Sequence, residues 1–228
     1  MSKIVDELKI EKQIVSKDHY FYCIDISQID HDYLLGKLKN LPIDEQRRFV
    51  AYRNGMARRM FLCSRLVIRE ELGHFGVPYN SKIKKNENGK PYSKYYSMYV
   101  RFSVSHSGNK LIIGFSHNSI GVDVEQKVSW TPGEIMEYAN IVFHPDEIKM
   151  FNGLTVDEVH DLYTRLWVAK ESYVKFTGEG AGLDTRHFCV CNPESEWPTI
   201  KGVKENIQTL VRKTDDDYYY AVTVEKND

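Results

Sequence analysis

The stretch "LWVAKESYVKFTGEG", residues 166–180, has the repeat of a helix that runs into a glycine turn. At 100° per residue, one continuous apolar stripe is formed by Leu162, Leu166, Ala169, Tyr173 and Phe176. A second apolar stripe beside it contains Tyr163, Trp167 and Val174. A helix with so wide an apolar surface is predicted to be buried on two sides, as between two halves of a protein.

Glu171 and Lys175 stand one turn apart, just past the edge of this apolar surface. One interpretation is a surface ion pair, worth about 0.3 kcal/mol. The other is that both charges border a cleft and belong to a functional site. The helix alone leaves both interpretations open.

The composition excludes several classes of protein. The chain has 228 residues, enough for one large domain or two small ones, with 31 basic and 32 acidic side chains. Because these charges nearly cancel, no global charge favours nucleic acid or an anionic membrane as a partner. No signal peptide or run of about 20 apolar residues is present, so we expect a cytoplasmic protein without a membrane span.

The cysteines carry no recognisable metal or disulfide motif. Cys189 and Cys191 alternate in "HFCVCN", and neither a histidine nor a second cysteine pair falls at zinc-site spacing. We therefore predict that they and the remaining cysteines, Cys23 and Cys63, are reduced thiols with a structural role.

The order of predicted elements is doubled along the chain. Helices are predicted at 42–53, 56–72, 131–143, 144–151 and 162–176, and strands at 20–27, 99–106, 110–117, 120–126, 185–192 and 217–225. The short polar turns between residues 99 and 126 predict an antiparallel meander of three strands. Helices followed by strands in each half indicate two closely packed α+β halves, 1–116 and 117–228, with the final strand packing back on the first half.

The segment "IGVDVE", residues 120–125, places two acids on one face of a predicted strand. Side chains alternate along a strand, so Asp123 and Glu125 point one way and the valines between them the other. Two carboxylates about 7 Å apart can share a divalent cation. A half-exposed strand that shows its acids to water is the alternative.

A third carboxylate, that of Glu171, is predicted to face the same cleft. Close approach to Asp123 and Glu125 would produce mutual repulsion that a cation relieves. Hard oxygen ligands with open water positions suit Mg²⁺, which commonly joins protein carboxylates to substrate phosphates. Lys175, one turn further on, is then placed to act on a phosphate or on a leaving group.

Basic and polar residues elsewhere are candidates for anion contacts. Arg59 falls among apolar neighbours of its helix, either snorkelling or positioned to bind a phosphate. Lys90, in the turn "NENGKPY", is either solvated or held towards a ligand. His106 and Ser105 end a strand in "FSVSHSG" without the G-x-S-x-G elbow of a serine hydrolase, so His106 is a turn residue or a phosphate contact. A further face of the same helix as Arg59 is predicted to be solvated and basic: Arg58, Arg65 and Arg69.

Four segments occur in an order and spacing that resembles one family: "NGKPY", "FSVSHSG", "IGVDVE" and "LWVAKESYVK". The chain is similar to the 4′-phosphopantetheinyl transferases, in particular to the longer type that activates peptide synthetases such as surfactin synthetase. The resemblance spans roughly residues 45–190. It implies two similar halves related by a pseudo-twofold axis, each an antiparallel sheet packed with helices, with the active site in the cleft between them.

The resemblance also implies roles for individual residues. Coenzyme A would be the substrate, with Mg²⁺ on its pyrophosphate held by Asp123, Glu125 and Glu171. Glu171 would be the base, directly or through water, for the serine of an acyl, peptidyl or aryl carrier protein. Lys175 would neutralise or protonate the departing 3′,5′-ADP.

The nucleotide side of the site follows from the same resemblance. Lys90, Ser105 and His106 match positions that contact the nucleotide and its phosphates, and Arg59 matches a basic residue that serves the 3′-phosphate. The chain departs from the family where lysines usually precede this helix, because the matching stretch is "PIDEQRRF". Arg47, Arg48 or Arg53 would substitute there.

Two functions of other classes compete with this interpretation. A Mg²⁺-dependent hydrolase of nucleotides or sugars would use the same acids without a carrier protein. A non-catalytic module that binds coenzyme A or a carrier would need no such cluster of charges. An internally doubled chain can build its cleft as a monomer, and the sequence does not separate carriers of fatty-acid, polyketide and nonribosomal peptide synthesis. A basic surface at Arg58, Arg65 and Arg69 is a candidate dock for an acidic carrier.

Overall fold

The computed structural model describes residues 4–96, 98–204 and 206–226. Its helices are α1 (Ile4–Glu7), α2 (His31–Gly36), α3 (Ile43–Ala51), α4 (Gly55–His74), α5 (Pro132–Val142), α6 (Pro145–Lys149) and α7 (Val156–Thr177). Its strands are β1 (Lys12–Ser16), β2 (His19–Asp25), β3 (Lys84–Lys85), β4 (Pro91–Tyr95), β5 (Met98–Ser107), β6 (Lys110–Ser116), β7 (Ile120–Gln126), β8 (Cys189–Cys191), β9 (Thr199–Lys201), β10 (Ile207–Lys213) and β11 (Tyr218–Glu225). Antiparallel sheets covered by helices confirm the predicted α+β class.

The first sheet has six strands in the order β1-β2-β6-β5-β4-β3, with antiparallel pairing throughout. Alternation along β2 sends Tyr22 and Ile24 into a core that they share with Leu62 and Val67 of α4. Phe21, just before Tyr22, points to the opposite face of the sheet. Each face of β2 is therefore buried against a different layer.

The second sheet has three antiparallel strands in the order β10-β11-β7, and β8 pairs with β9 separately. α7 covers this sheet with its two apolar stripes, as the sequence predicts. Leu166, Ala169, Tyr173 and Phe176 are buried in the core of this half. Tyr163 of the second stripe is buried there as well.

A third apolar cluster joins the two sheets face to face. Phe21 and Ile112 of the first sheet pack against Val122 and Val124 of β7 and against Tyr220 of β11. The ring centroids of Phe21 and Tyr220 lie 5.6 Å apart. The final strand thus contacts the first sheet as well as its own.

The predicted three-stranded meander is wrong at its third strand. β5 and β6 form the expected hairpin, but β6 then pairs with β2, and β7 joins β11 in the other sheet. Gly114 of β6 shows how closely the sheets cross, because a Cβ there would lie 2.7 Å from side-chain atoms of both Ile120 and Val122. The short connection between β6 and β7 therefore does not make them neighbours in one sheet, because each pairs with a strand that is distant in sequence.

Several strands were not predicted, namely β1, β3, β4, β9 and β10. The turn "NENGKPY" is confirmed as a turn, and it joins β3 to β4 in a hairpin. The strand predicted at 185–192 is reduced to Cys189–Cys191, since Thr185–His187 forms a 3₁₀ turn. The four cysteines are free thiols. Over the described ranges, none of the helices combines the length and the apolarity needed to cross a membrane.

The expected solvated arginine face on α4 is also wrong. Arg69 is only 2% exposed and its Nη2 lies 2.8 Å from Oε1 of Glu45, which is 3% exposed. Nη1 of Arg69 donates to the carbonyl of Tyr79 at 2.8 Å. Arg65 is largely covered as well, with its Nε 3.8 Å from Glu45. Arg65 and Arg69 are therefore not available as an exposed basic dock for a carrier protein.

Candidate active site

Strand β7 lies directly against α7. Gly121 makes this possible, because a Cβ at that position would overlap the carbonyl oxygen of Ser172 and the amide nitrogen of Phe176. Asp123, two residues on and on the same face, is thereby brought against the last turns of α7. The alternation predicted for "IGVDVE" is confirmed, since Ile120, Val122 and Val124 point into the cluster between the sheets.

Asp123 is the centre of a three-residue contact that joins both sheets to α7. Its side chain is 2% exposed, and its Oδ1 accepts from Lys175 Nζ at 2.6 Å and from Ser105 Oγ at 2.8 Å. Lys175 Nζ also donates to Ser105 Oγ at 2.9 Å. Oδ2 of Asp123 is buried without a hydrogen-bond partner. One carboxylate oxygen thus accepts two side-chain hydrogen bonds, and the other accepts none from a side chain.

Serine hydroxyl groups of β5 accept hydrogen bonds from backbone amides of β7, as a neighbouring strand would do. In the described chain β7 pairs with β11 on one edge. On its other side the amide of Val122 donates to Ser103 Oγ at 3.1 Å, and that of Gln126 donates to Ser107 Oγ at 3.3 Å. The alternating serines of "FSVSHS" are the signal for these contacts, although Ser103 and Ser107 were not predicted as site residues. These bonds fix β7 next to β5.

Glu125 and Glu171 surround this contact with further negative charge. Burial, and then the charge of Asp123, raise the pKa of Glu171, which Lys175 partly offsets. Burial and Asp123 likewise raise the pKa of Glu125, with a smaller contribution from Glu171. The pKa of Asp123 itself is raised by burial and lowered in part by Lys175. The charge of Asp123 thus raises the pKa of both glutamates.

Beside these residues lies a cavity of about 390 Å³. Its wall contains Glu171 and Lys175 of α7, and Leu183 and Thr185 of the loop that follows. The opposite wall is the segment 88–91 of the β3–β4 hairpin together with Ser103 and Val104 of β5. The cavity therefore lies where elements of the first sheet meet α7.

Lys90 reaches this cavity from the hairpin. Its Nζ donates to the carbonyl of Phe176 at 2.8 Å, and burial, followed by the charge of Arg101, lowers the pKa of Lys90 to about 8. The side-chain amides of Asn86 and Asn88 both donate to the carbonyl of Gly178, at 3.1 and 3.0 Å. These two asparagines were not singled out in the sequence.

Three other residues predicted to contact anions are absent from the described lining of this cavity. Nη2 of Arg59 donates to the carbonyls of Ile26 and Ile29, at 2.8 and 2.6 Å, and Arg59 lines a separate cavity of about 180 Å³. His106 and Arg53 are exposed. His106 and Arg53 are not among the described residues that line the cavity at Glu171.

The described residues contain no group of three His, Cys, Asp or Glu side chains arranged to hold a metal ion. Repulsion among the acids is relieved instead by Lys175, which occupies Oδ1 of Asp123. The residue types of the site still fit a divalent cation. Oδ2 of Asp123 is a buried oxygen without a hydrogen-bond partner, and the charge of Asp123 raises the pKa values of the Glu125 and Glu171 carboxyl groups.

Comparison with known proteins agrees with this geometry. The family model described as "4'-phosphopantetheinyl transferase superfamily" matches residues 119–223, which include β7, α7 and β11. A 4'-phosphopantetheinyl transferase, gsp, of Aneurinibacillus migulanus is 26% identical over 186 residues, covering 81% of this chain and 76% of the relative. A 4'-phosphopantetheinyl transferase of Bacillus subtilis is 26% identical over 200 residues, covering 87% and 86%. The chain is similar to the 4′-phosphopantetheinyl transferase superfamily.

One further relative has a higher sequence identity to this chain over a shorter stretch. The 4'-phosphopantetheinyl transferase Sfp of Bacillus subtilis (strain 168) is 34% identical over 91 residues, which cover 40% of this chain and 39% of Sfp. The resemblance carried by the four sequence segments is thus confirmed at the level of the superfamily.

Proposed function

We propose that this protein transfers the 4′-phosphopantetheine group of coenzyme A to a serine of an acyl, peptidyl or aryl carrier protein and releases 3′,5′-ADP. The observation that carries the proposal is the contact of Asp123 with Lys175 beside Glu171, at the edge of a cavity of about 390 Å³. Similarity to a transferase superfamily supports the same reaction class.

Glu171 is proposed as the proton acceptor. The reaction needs the carrier serine to lose its proton while its oxygen forms a bond to the phosphorus of the phosphopantetheine phosphate. Burial and the charge of Asp123 raise the pKa of Glu171, which makes its carboxylate a stronger base than an exposed glutamate. Glu171 accepts the proton directly or through one water molecule.

Lys175 is proposed to act on the leaving group. The bond between the two phosphorus-bearing groups breaks at the oxygen that stays with 3′,5′-ADP, and that oxygen gains negative charge. The Nζ of Lys175 borders the cavity and is 31% exposed as a side chain, so it can reach a ligand while still paired with Asp123. An ammonium group placed there neutralises or protonates the departing phosphate.

Asp123, Glu125 and Glu171 are proposed to hold Mg²⁺. When bound, this cation supplies charge neutralisation on the pyrophosphate oxygens, so that a negatively charged nucleophile can approach. The buried and unpartnered Oδ2 of Asp123 is the structural support for this assignment. The Asp123 carboxylate keeps that orientation because Ser105 and Lys175 hold its other oxygen.

Two residues are proposed to serve the nucleotide part of coenzyme A, Lys90 directly and Ser105 indirectly. Lys90 is the basic residue of the hairpin that lines the cavity, so we assign it to the nucleotide phosphates. Ser105, in contact with Asp123, is assigned a supporting role within the site. Contacts of His106, Arg53 or Arg59 with the nucleotide stay predictions. So do the division at residues 116 and 117, the pseudo-twofold relation of the halves, a monomeric state and a cytoplasmic location.

The test is intact-mass spectrometry of an apo carrier protein incubated with this protein, coenzyme A and Mg²⁺. Transfer predicts a carrier heavier by one phosphopantetheine group, with 3′,5′-ADP released only when the carrier is present. Release of nucleotide from coenzyme A alone would instead identify a hydrolase. Binding of coenzyme A without either product would identify a non-catalytic module.

A further inference from the structure

The C-terminal end of α7 is held by side chains from a hairpin about 90 positions earlier in the chain. The last carbonyls of any helix lack partners within the helix. Here the carbonyl of Phe176 accepts from Lys90 Nζ, and the carbonyl of Gly178 accepts from the amides of Asn86 and Asn88. We call residues 86–90 the hairpin tip. The tip therefore caps the helix that carries Glu171 and Lys175.

The hairpin tip is ordered by its own hydrogen bonds. Asn86 Oδ1 accepts from the amide of Lys90 at 2.7 Å, and the amide of Asn86 donates to the carbonyl of Lys90 at 2.9 Å. The amide group of Asn86 is thus fixed at both ends, one end within the tip and the other on Gly178. Because Asn86 is bonded both to Gly178 and to the backbone of Lys90, attachment of the tip to α7 also fixes the position of Lys90.

The tip and the turn after α7 are in close packing contact. Gly178 has a left-handed backbone with φ of 76°, and a Cβ there would lie 2.9 Å from Cδ of Lys90 and 3.3 Å from Nδ2 of Asn86. The left-handed φ favours glycine at this position, and a side chain there would press on the tip. Asn88, Gly89 and Lys90 of the tip, together with Gly178, line the cavity at Glu171.

The tip makes two kinds of hydrogen bond to the end of α7, from neutral asparagine amides and from a charged lysine. The asparagine amides are neutral and bind the helix end at any pH. The Lys90 ammonium group is partly buried, and this burial lowers the pKa of Lys90 to about 8. Because a charged ammonium is better hydrated in solvent, its charge opposes the position that Lys90 takes at the cavity. Without the amides, the cost of burying this charge would favour movement of the tip away from α7.

We infer that Asn86 and Asn88 are positioning residues, whose bonds to Gly178 hold Lys90 in the cavity where the nucleotide phosphates of coenzyme A are bound. The inference rests on the proposed function, since it assigns the ligand of Lys90. Lys90 can then exchange the carbonyl of Phe176 for a phosphate oxygen while the tip stays attached through the two amides.

The experiment compares asparagine variants, with and without Lys90→Met, by calorimetric titration with coenzyme A. Asn88→Ala removes one bond to Gly178 and is expected to weaken coenzyme A binding about fivefold, as the net loss of one hydrogen bond predicts. The Asn86→Ala/Asn88→Ala variant is expected to weaken it by about tenfold or more. In a Lys90→Met background the same asparagine changes are expected to add less than about twofold, because they act through Lys90.

Ser119→Ala is the matched control. Ser119 Oγ donates to the same Phe176 carbonyl at 3.1 Å but belongs to no part of the hairpin. Its removal takes one hydrogen bond from the helix end and one acceptor, at 3.3 Å, from Arg101 Nη1, but it leaves both asparagine bonds to Gly178 in place, so coenzyme A binding is expected to stay within about twofold of wild type. Equal losses for Ser119→Ala and Asn88→Ala would overturn the positioning role, as would unchanged binding by the double asparagine variant.

A second readout does not depend on coenzyme A. Amide hydrogen exchange at residues 84–95 is expected to be faster in the double asparagine variant and unchanged in Ser119→Ala. Unchanged exchange in both variants would overturn the inference even if coenzyme A binds. Failure of the wild-type protein to bind coenzyme A, together with fast exchange in the asparagine variant, would overturn the assigned ligand and leave the attachment of the tip established.

Discussion

Replacing Lys175 by methionine is predicted to destabilise the fold by about 3 kcal/mol at pH 7. Its Nζ lies 2.6 Å from Oδ1 of Asp123, whose side chain is 2% exposed. Removing one partner of a buried ion pair leaves an uncompensated carboxylate, which typically costs about 3–5 kcal/mol. The lower end applies because Lys175 is 31% exposed and water can enter from the cavity.

The reciprocal change, Asp123→Asn, is predicted to cost about 1 kcal/mol or less. It leaves the partly exposed ammonium of Lys175 in reach of water, and the Ser105 hydroxyl can still donate to the new amide oxygen. The double variant removes both charges and is also predicted to cost about 1 kcal/mol. The double-mutant cycle should therefore give a coupling energy of about 2–3 kcal/mol.

The deficit of Lys175→Met is predicted to shrink as the pH falls. Burial raises the pKa of Asp123 even with Lys175 present, and loss of this cation raises that pKa further. An acid whose pKa is higher in the folded than in the unfolded state stabilises the fold at low pH, and this contribution is lost as pH rises through the folded pKa. The deficit relative to wild type should thus be smaller at pH 5 than at pH 7.

The assay is urea denaturation of the wild type, both single variants and the double variant at pH 7 and pH 5. Two results would refute the reasoning. One is a cost for Asp123→Asn equal to that for Lys175→Met. The other is a cost for Lys175→Met that does not change between the two pH values.

Three further outcomes are expected. Gly121→Ala should cost more than about 3 kcal/mol in the same assay, because a Cβ there meets backbone atoms of α7; a near-neutral variant would contradict the close packing of β7. Arg69→Met should lower stability by about 3 kcal/mol, since Glu45 is left buried, and a loss below about 0.5 kcal/mol would mean that the pair is solvated. The affinity for coenzyme A should fall from pH 7 to pH 9 as Lys90, with a pKa of about 8, loses its charge; a profile unchanged in Lys90→Met would exclude that role.

The parts of the fold that the sequence predicted are those set by local periodicity. The apolar stripes of α7 and the alternation of β7 each repeat within a few residues, so Leu166, Tyr173 and Val122 are buried as expected. The two faces predicted that Asp123 and Glu171 border one cleft, but the direct ion pair of Asp123 with Lys175 was not predicted. The prediction of the shared cleft needed no knowledge of sheet pairing.

The parts that the sequence did not predict depend on contacts between distant segments. The departure of β7 from the first sheet follows from its pairing with β11, about 100 positions later. The burial of Arg69 follows from Glu45 on another helix, and nothing in the periodicity of α4 marks that partner. Likewise the asparagine amides of the hairpin tip acquire their role only when the chain brings Gly178 to them.

The most direct test of the proposed reaction is a time course of apo carrier protein conversion, followed by intact mass, with the wild type, Glu171→Gln and Glu179→Gln. Glu179 is an exposed acid just beyond α7, so its variant is a matched control for loss of one charge. We predict that the Glu179 variant converts the carrier at a rate within about twofold of wild type, and that Glu171→Gln is at least about a hundredfold slower with its fold intact. Conversion by Glu171→Gln at the wild-type rate would contradict the central claim.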